Sequence, residues 1–249
     1  MRSALVGYTG FVGGNLMRQT SFTDLYHSRN SNDMEGETFD LVVCSAARAE
    51  KWKANQDPAS DADHIQSLIR TLSKVKAREA VVISTVDVFS TPIGVDETTE
   101  IDTSTQHPYG KHRHQLEEFC LQHFPICLVV RLPGLFGMGL KKNAVFDILH
   151  DNQVEKIHPQ SKFQFYSLDN LWKDIQISRT HGLRLIHFAT EPVSMDRVAK
   201  EGLEKPLVHK PMGAPVNYDF RSRYCALWNR NDGYLYSSDQ TIQGLRAFK

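Results

Sequence analysis

Short apolar runs alternate with segments of helical spacing over most of this chain. The runs predict buried strands, at 4–6, 40–47, 80–85, 126–131 and 183–188, with a further candidate strand at 24–28. Between them, apolar residues recur as in a helix from Phe11, over 61–78 and over 108–124. Strands that are apolar throughout are typical of a parallel sheet covered on both faces. The pattern predicts an α/β fold with a doubly wound parallel sheet.

Three glycines follow the first apolar run at G-x-x-G-x-x-G spacing: Gly7, Gly10 and Gly13. Glycine allows a tight turn and a close approach of the backbone to a ligand. The helix start that comes next offers unpaired N–H groups and a positive dipole end, which favour an anion. The strand, the turn and the helix together predict a site for the pyrophosphate of a dinucleotide. The alternative is an ordinary glycine turn between two core elements.

The end of the second candidate strand bears on the type of dinucleotide. A carboxylate at this point accepts from the ribose 2′-hydroxyl of NAD, whereas a cation accommodates the 2′-phosphate of NADP. The chain offers Ser28 and Arg29 here, and no acid before Asp33. This favours NADP over NAD. The alternative is that Arg29 is only a solvated loop residue.

The second half of the chain predicts a smaller substrate-side lobe. We place a Rossmann dinucleotide-binding domain at 1–190, with part of the lobe inserted around 138–170, and a small C-terminal lobe at 191–249. Within the lobe, Ser194 is predicted to cap a helix that runs to 203.

Polar segments and helix spacing complete the pattern. The segments 48–60 and 91–105 are predicted to be loops, and a closing helix is predicted at 239–248. On the helix at 108–124, Tyr109 and Arg113 are four residues apart and therefore share a face, whereas Lys111 points away. The alternative for this helix is a solvated basic surface that carries an exposed tyrosine.

Composition and charge exclude several classes of function. The chain has 249 residues, 41% of them hydrophobic, and 29 basic residues balance 29 acidic ones. No basic stripe predicts nucleic acid or an anionic membrane as a partner, and the apolar runs are too short to cross a bilayer. The first residues already form a strand, so we expect no signal peptide and a cytoplasmic protein. The four cysteines lack C-x-x-C spacing and are expected to be buried thiols, and no metal site is predicted.

Several ordered motifs together resemble one family. They are Gly7-x-x-Gly10-x-x-Gly13, Ser84-Thr85-x-x-Val88-Phe89, Tyr109-Gly-x-x-Arg113, Arg131-Leu-Pro-Gly-Leu-Phe-Gly137 and Ser167-Leu-Asp169-Asn-Leu171. Over about residues 1–200 the chain resembles the extended short-chain dehydrogenase/reductase family, also called the NAD-dependent epimerase/dehydratase family. It looks most like the members that reduce 4-keto-sugar nucleotides, the dTDP-4-dehydrorhamnose reductase type.

The resemblance implies three catalytic roles. Thr85 matches the residue that hydrogen-bonds the substrate carbonyl or hydroxyl, and Tyr109 matches the general acid/base. A nearby cation must lower the pKa of such a tyrosine from about 10. The family places a lysine four residues further on, where this chain has Arg113. Arginine keeps the charge and can donate to ribose hydroxyls, but its planar fork is larger than an ammonium.

The resemblance also implies cofactor and substrate contacts. The expected cofactor-binding residues are Gly7, Thr9, Gly10, Phe11, Val12, Gly13, Ser28, Arg29, Ala46, Ala47 and Pro133. The candidate cations for an anionic substrate are Lys141, Lys142, Arg221 and Arg223, which could equally be solvated surface residues. The implied activity is NADP- or NAD-dependent reduction or epimerisation of a keto or hydroxyl group on a nucleotide-linked sugar, in a possible homodimer. The alternative is a catalytically weakened NADP-binding regulator with the same fold.

Overall fold

The computed structural model describes residues 1–209 and 211–249. The chain forms two compact units, which we call the sheet unit and the lobe unit. The sheet unit comprises Met1–Ser90, Glu100–Arg131 and Leu171–Ile186. The lobe unit comprises Thr91–Thr99, Leu132–Asn170 and His187–Lys249.

A six-stranded sheet forms the centre of the fold. Its strands are β1 (Ser3–Val6), β2 (Asp24–Tyr26), β3 (Thr38–Cys44), β4 (Lys76–Thr85), β6 (Ile126–Leu132) and β10 (Leu185–His187). The spatial order is β10-β6-β4-β3-β1-β2. β1 pairs in parallel with β2 and with β3, and β3 pairs in parallel with β4. The order reverses at β1, so a ligand crevice is expected at the carboxyl ends of β1 and β3. The predicted doubly wound α/β class is confirmed.

Five helices belong to the sheet unit. They are α1 (Phe11–Gln19), α2 (Lys51–Gln56), α3 (Pro58–Leu72), α4 (Pro108–His123) and α6 (Leu171–Thr180). Ile65 and Leu72 of α3 and Leu116 of α4 are buried in one hydrophobic cluster with the strands. All four cysteines are buried free thiols, as expected from their spacing.

The prediction of a loop at 48–60 is wrong. This segment contains α2 and the start of α3. Pro58 occupies the first turn of α3, where its missing N–H costs nothing, and the Asp57 carboxylate accepts a hydrogen bond from the Ser60 N–H at 3.1 Å. The helix also ends at Leu72 and not at 78, because the chain from Lys76 onward pairs with β3 as β4.

Short strands and helices build the lobe unit. The strands are β5 (Ile93–Val95), β7 (Gly134–Phe136), β8 (Lys162–Phe163), β9 (Phe165–Ser167), β11 (Val193–Ser194) and β12 (Asp219–Phe220). The helices are α5 (Ala144–Leu149), α7 (Met195–Arg197) and α8 (Ser238–Phe248). β5 lies within the predicted loop 91–105 because it pairs with β12, a contact that local sequence does not reveal. Ser194 caps α7 as predicted, but the chain continues from Val198 as a π-turn and not as an α-helix.

Within the described ranges, no helix combines the length and the apolar character that crossing a membrane requires.

A buried ion pair ties α4 to the sheet. Glu117 and Arg131 are 1% and 4% exposed, and Arg131 Nη2 lies 2.7 Å from Glu117 Oε2. The Ser84 hydroxyl, at the end of β4, donates to the same carboxylate. Removing one partner of a buried pair leaves the other charge without compensation, which costs more than the pair itself contributes.

We therefore expect Glu117→Ala to lower the free energy of unfolding by about 3–5 kcal/mol, measured by urea denaturation. Glu118→Gln changes the exposed neighbour on the same helix and should leave stability unchanged. The double variant Glu117→Leu/Arg131→Met should recover most of the loss. A Glu117→Ala loss no larger than that of the control would show that the pair does not hold α4 in place.

Candidate active site

The glycine turn is held between the ends of β2 and β3. Gly7 has a φ of +92°, a conformation that side chains disfavour, and its N–H donates to the Tyr26 carbonyl at 2.7 Å. A Cβ on Gly7 would lie 2.8 Å from the Ala46 backbone. A Cβ on Gly13 would lie 2.2 Å from the Gly7 carbonyl oxygen. Both positions therefore require glycine, one for the turn and one for the packing of α1 on it.

The start of α1 carries backbone donors and no competing side chain. Gly10 is the N-cap residue and provides no side-chain cap, and the first turn contains no acid. The Gly10 N–H is bound to the Gly7 carbonyl at 3.0 Å. The N–H groups of Phe11 and Val12 come at the first helical positions, which have no intrahelical acceptor. This end of the helix is suited to an anion.

The residues after β2 lie at the surface beside the turn. Ser28 and Arg29 are exposed, and the Arg29 N–H donates to His27 Nδ1 at 3.0 Å. The His27 ring stacks on Tyr8 with centroids 5.5 Å apart. Asp33 lies further on, in a short 3-10 turn, so Arg29 is the first charged side chain after the strand.

Tyr109 lies at the N-terminus of α4 with its ring almost fully buried. Its N–H donates to Asn55 Oδ1 of α2 at 3.1 Å, and the Thr85 side chain lies close enough to the phenol to lower its pKa. Thr85 ends β4, and its hydroxyl also accepts from the Asp87 N–H at 3.1 Å. The strand end and the helix start thus bring together the two residues that the motifs predict to act jointly.

Arg113 covers the ring of Tyr109. Its guanidinium carbon lies 3.9 Å from the ring centroid, and the side chain is 2% exposed. The shared helix face is confirmed. The interpretation of this helix as a solvated surface with an exposed tyrosine is wrong, because α4 packs on both α3 and the end of β4.

Every η hydrogen of Arg113 is bound within the chain. Nη1 donates to the Asp61 carboxylate and to the Tyr109 carbonyl, the latter at 3.2 Å. Nη2 donates to Asp61 Oδ1 at 2.8 Å and to the Arg48 carbonyl at 2.5 Å. Only Nε, which is buried without a partner, remains as a donor. Ribose contact by Arg113 stays a prediction, and it would have to come from this one N–H.

Asp61 is a site residue that sequence reasoning missed. It lies on α3, is 6% exposed and also lies 2.7 Å from His112 Nδ1. Burial alone would raise its pKa, but the hydrogen bonds from Arg113 and His112 hold the pKa below its usual value. A signal was present, since Asp61 stands on the apolar stripe that continues through Ile65, Leu68 and Leu72. A carboxylate on a buried stripe requires a cation.

Gly110 was missed as well. A Cβ there would lie 2.1 Å from the Asp87 carbonyl oxygen, so α4 approaches the end of β4 too closely for any side chain. This contact fixes the distance between Tyr109 and Thr85. Nothing in the local sequence distinguishes Gly110 from a helix-interior glycine.

Burial dominates the electrostatics of Tyr109. Desolvation raises the pKa of its phenol to about 12. Arg113 and the Thr85 side chain act in the opposite direction, but Asp87 and Asp61 add to the increase. The phenol is therefore protonated at neutral pH.

A second ion pair lies beside this cluster. Lys51 Nζ of α2 lies 2.8 Å from Asp87 Oδ1. His107 caps α4 through Nδ1, which accepts from the Gly110 N–H at 3.1 Å. Burial, with a contribution from Lys51, lowers the pKa of His107. This histidine is therefore neutral at pH 7.

The remaining predicted residues are distributed over both units. Ala46 and Ala47 follow β3, and the Ala46 carbonyl is bound to His64 Nε2 at 3.1 Å. Pro133 and the four candidate substrate cations belong to the lobe unit. Lys141, Lys142, Arg221 and Arg223 are exposed there. Arg221 is paired with Asp219 at 3.0 Å. The substrate roles of these residues stay predictions.

Comparison with known proteins identifies the fold. No protein-family model matches the chain, and no curated protein matches it. Among solved structures it is similar over its whole length to dTDP-4-dehydrorhamnose reductase from Clostridium acetobutylicum, at 17% identity and a TM-score of 0.73, covering 98% of that chain. The chain therefore shares the Rossmann-type α/β fold of this reductase.

Two further structures with this fold give the same result. RMD from Pseudomonas aeruginosa, complexed with NADPH, is 16% identical with a TM-score of 0.73. MoeE5, in complex with UDP-glucuronic acid and NAD, is 15% identical with a TM-score of 0.73. Each comparison covers 100% of this chain and 97% of the other.

The turn of this fold offers a matched pair of glycine variants. Gly13→Ala should lower the free energy of unfolding by about 1–3 kcal/mol, because its Cβ overlaps the turn backbone. Gly14→Ala, whose Cβ would have no atom nearer than 3.9 Å, should be neutral or stabilise α1 by up to about 1 kcal/mol. Equal effects of the two variants in chemical denaturation would show that α1 does not pack on the turn as described.

Proposed function

We propose that this chain is an NAD(P)-dependent oxidoreductase that reduces or epimerises a keto or hydroxyl group on a nucleotide-linked sugar. The observation that carries the proposal is the buried Tyr109 phenol beside Thr85, at the same carboxyl edge of the parallel sheet as the glycine turn. A proton donor beside an anion site is the arrangement that carbonyl reduction requires.

The glycine turn fits the diphosphate of a dinucleotide. Gly7 and Gly13 leave no room for a Cβ, so the turn presents bare backbone. The Phe11 and Val12 N–H groups would bind the diphosphate, with Thr9 and Gly10 completing the turn. Ala46 and Ala47 present small side chains at the end of β3, where a ligand can lie along the backbone. Pro133 is proposed to contact the nicotinamide side.

The residues that follow β2 support NADP as the preferred cofactor. Ser28 and Arg29 are exposed beside the turn, and Asp33 is held in the following 3-10 turn. A guanidinium can pair with a 2′-phosphate through charged hydrogen bonds, whereas it offers little to a 2′-hydroxyl.

The chain's own residues supply the proton chemistry. A nicotinamide dinucleotide provides a hydride when it is bound in its reduced form. Thr85 hydrogen-bonds the substrate oxygen and orients it. Tyr109 gives its phenolic proton to that oxygen as the C=O π bond opens and the carbon gains its new C–H bond. The phenolate left on Tyr109 then takes a proton from water, so the substrate has gained a hydride and a proton.

The lobe unit supplies the candidate cations for the diphosphate of a sugar nucleotide. Lys141 and Arg223 are exposed and suited to this role, and Lys142 is next to Lys141 in the chain. Arg221 is a weaker candidate, because its guanidinium is paired with Asp219 and lies 5.7 Å from the Tyr234 ring centroid.

One observation favours a second function, an NADP-binding regulator with weakened catalysis. All η hydrogens of Arg113 are committed to Asp61 and to backbone carbonyls. A lysine at 113 would reach fewer of these partners. Strong turnover by Arg113→Lys alone would indicate a weakened active site, whereas tight NADP(H) binding without turnover in either form would indicate a regulator.

Thermal shift with NAD, NADH, NADP and NADPH tests the cofactor. Ligand at a hundredfold excess over its Kd adds about 2.7 kcal/mol. For a chain of this size that raises Tm by roughly 5–10 °C. We expect the phosphorylated forms to give the larger shift. Arg29→Ala should remove the preference, and Arg18→Ala, on the exposed face of α1, should keep it. Equal shifts for both forms would reject the role of Arg29, and no shift would reject the dinucleotide.

Tyr109→Phe tests the mechanism. NADPH oxidation on a panel of 4-keto-sugar nucleotides should fall by about 10²–10⁴-fold, because the general acid is lost. The NADPH thermal shift should be unchanged, since the phenol takes no part in holding the diphosphate. A variant as active as the parent protein would show that the assigned acid is wrong.

A further inference from the structure

The charges that act on the Tyr109 phenol are paired within the chain. Arg113 is bound to Asp61, and Asp87 is bound to Lys51. His107, whose ring centroid lies 6.2 Å from that of Tyr109, is neutral because burial lowers its pKa. Among the described residues around the phenol, two cations and two carboxylates are therefore paired, and the Asp61 carboxylate also contacts His112 Nδ1 at 2.7 Å. The family resemblance, by contrast, predicts a cation at position 113 that lowers the pKa of the tyrosine.

Asp61 decides where the guanidinium lies. Its two oxygens bind the two η nitrogens of Arg113, and the Arg48 carbonyl binds the second of these from another direction. Such a fork-to-fork contact fixes a planar group in orientation as well as in position. The charge is consequently held over the face of the Tyr109 ring, at 3.9 Å from its centroid.

The pair leaves burial as the dominant influence on the phenol. A lone cation within about 4–6 Å typically lowers such a pKa by about 1–3 units. Here burial outweighs the lowering by Arg113, Asp87 and Asp61 both oppose that lowering, and the hydroxyl remains protonated.

We propose that Asp61 is a positioning residue that holds Arg113 against the Tyr109 ring and offsets part of its charge, so that Tyr109 stays protonated and serves as the proton donor in carbonyl reduction. This deepens the function proposed above and rests on it. The hydride source in this direction is a reduced nicotinamide dinucleotide.

The two directions of reaction need opposite forms of the phenol. Reduction needs Tyr109 protonated, which holds throughout the pH range below its pKa of about 12. Oxidation needs the phenolate, which at pH 7 is present in about one molecule in 10⁵. The rate of reduction should therefore stay level from pH 6 to 10. The rate of oxidation should rise about tenfold per pH unit over that range.

The ionisation of Tyr109 can be measured without any ligand. In protein labelled with ¹³Cζ-tyrosine, NMR titration follows each phenol, and Tyr109→Phe identifies the signal of interest. In the parent protein we expect no ionisation of Tyr109 up to pH 11. In Asp61→Asn the Arg113 charge is no longer compensated, and the midpoint should fall by about 1–3 pH units.

Asp63→Asn is the matched control, because Asp63 is an exposed carboxylate on the same helix. It should titrate like the parent protein. An Asp61→Asn protein that is folded by circular dichroism and titrates like the parent would overturn the proposal, since a purely structural role for Asp61 does not move this midpoint.

Asp61→Asn leaves a buried arginine without its partner and could fail to fold, so a second variant is needed. Asp61→Asn/Arg113→Gln removes both charges together. The proposal expects it to fold and to titrate no lower than the parent protein, because no uncompensated cation is left beside the ring. A midpoint lowered by one unit or more in the double variant would overturn the proposal.

Failure of the proposed function is separable from failure of this inference. If no dinucleotide shifts Tm, the proposed activity is wrong, yet the titration still decides whether Asp61 controls Tyr109. If dinucleotides bind and the Asp61→Asn midpoint does not move, the proposed activity survives and the role of Asp61 is wrong.

Discussion

The ion pair between Asp61 and Arg113 lies out of water between α3 and α4, and the account of the site depends on it. Each charge would be costly to bury alone, and each is retained because the other is present. The pair joins two helices that pack on each other beside the sheet. It also holds a cation on the tyrosine ring, at 3.9 Å from the ring centroid. One contact thus contributes to the packing of the fold and fixes the cation beside its central side chain.

The glycine turn imposes a constraint of a different kind. Gly7 must take a positive φ between the ends of β2 and β3, and Gly13 must bring α1 down onto the turn. These requirements are steric, and they leave a run of backbone donors at the switch point of the sheet. The turn accounts for where an anion can bind. The α3–α4 pair accounts for what the neighbouring phenol can do with a proton.

The two sites differ in how far sequence could predict them. The turn and the strands are local, so spacing and apolar runs were enough to place Gly7, Gly13 and the strands of the central sheet along the chain. Tyr109 and Arg113 are four residues apart on one helix, and helical geometry placed them on one face. Asp61 is 52 positions from Arg113, and only a tertiary contact brings them together. Its place on the apolar stripe of α3 indicated that some cation must meet it, but not which one.

The other wrong or missed predictions from the sequence also trace largely to tertiary contacts. The segment at 48–60 is rich in polar residues, and its helices are stabilised by the Asp57 cap and by contacts with α4, which local polarity does not reveal. β5 exists because β12 pairs with it, more than a hundred residues later in the chain. Gly110 is required by the Asp87 carbonyl of a different element. Apart from the local Asp57 cap, the deciding neighbour in each case is distant in sequence, whereas the correct predictions depended on near neighbours.

A crystal structure of the complex with NADPH tests the central claim most directly. The account predicts the diphosphate on the Phe11 and Val12 amides, the Tyr109 hydroxyl still beside Thr85, and Arg113 still held by both oxygens of Asp61. An Arg113 side chain that leaves Asp61 to bind the cofactor ribose, or a diphosphate bound away from the glycine turn, would contradict it.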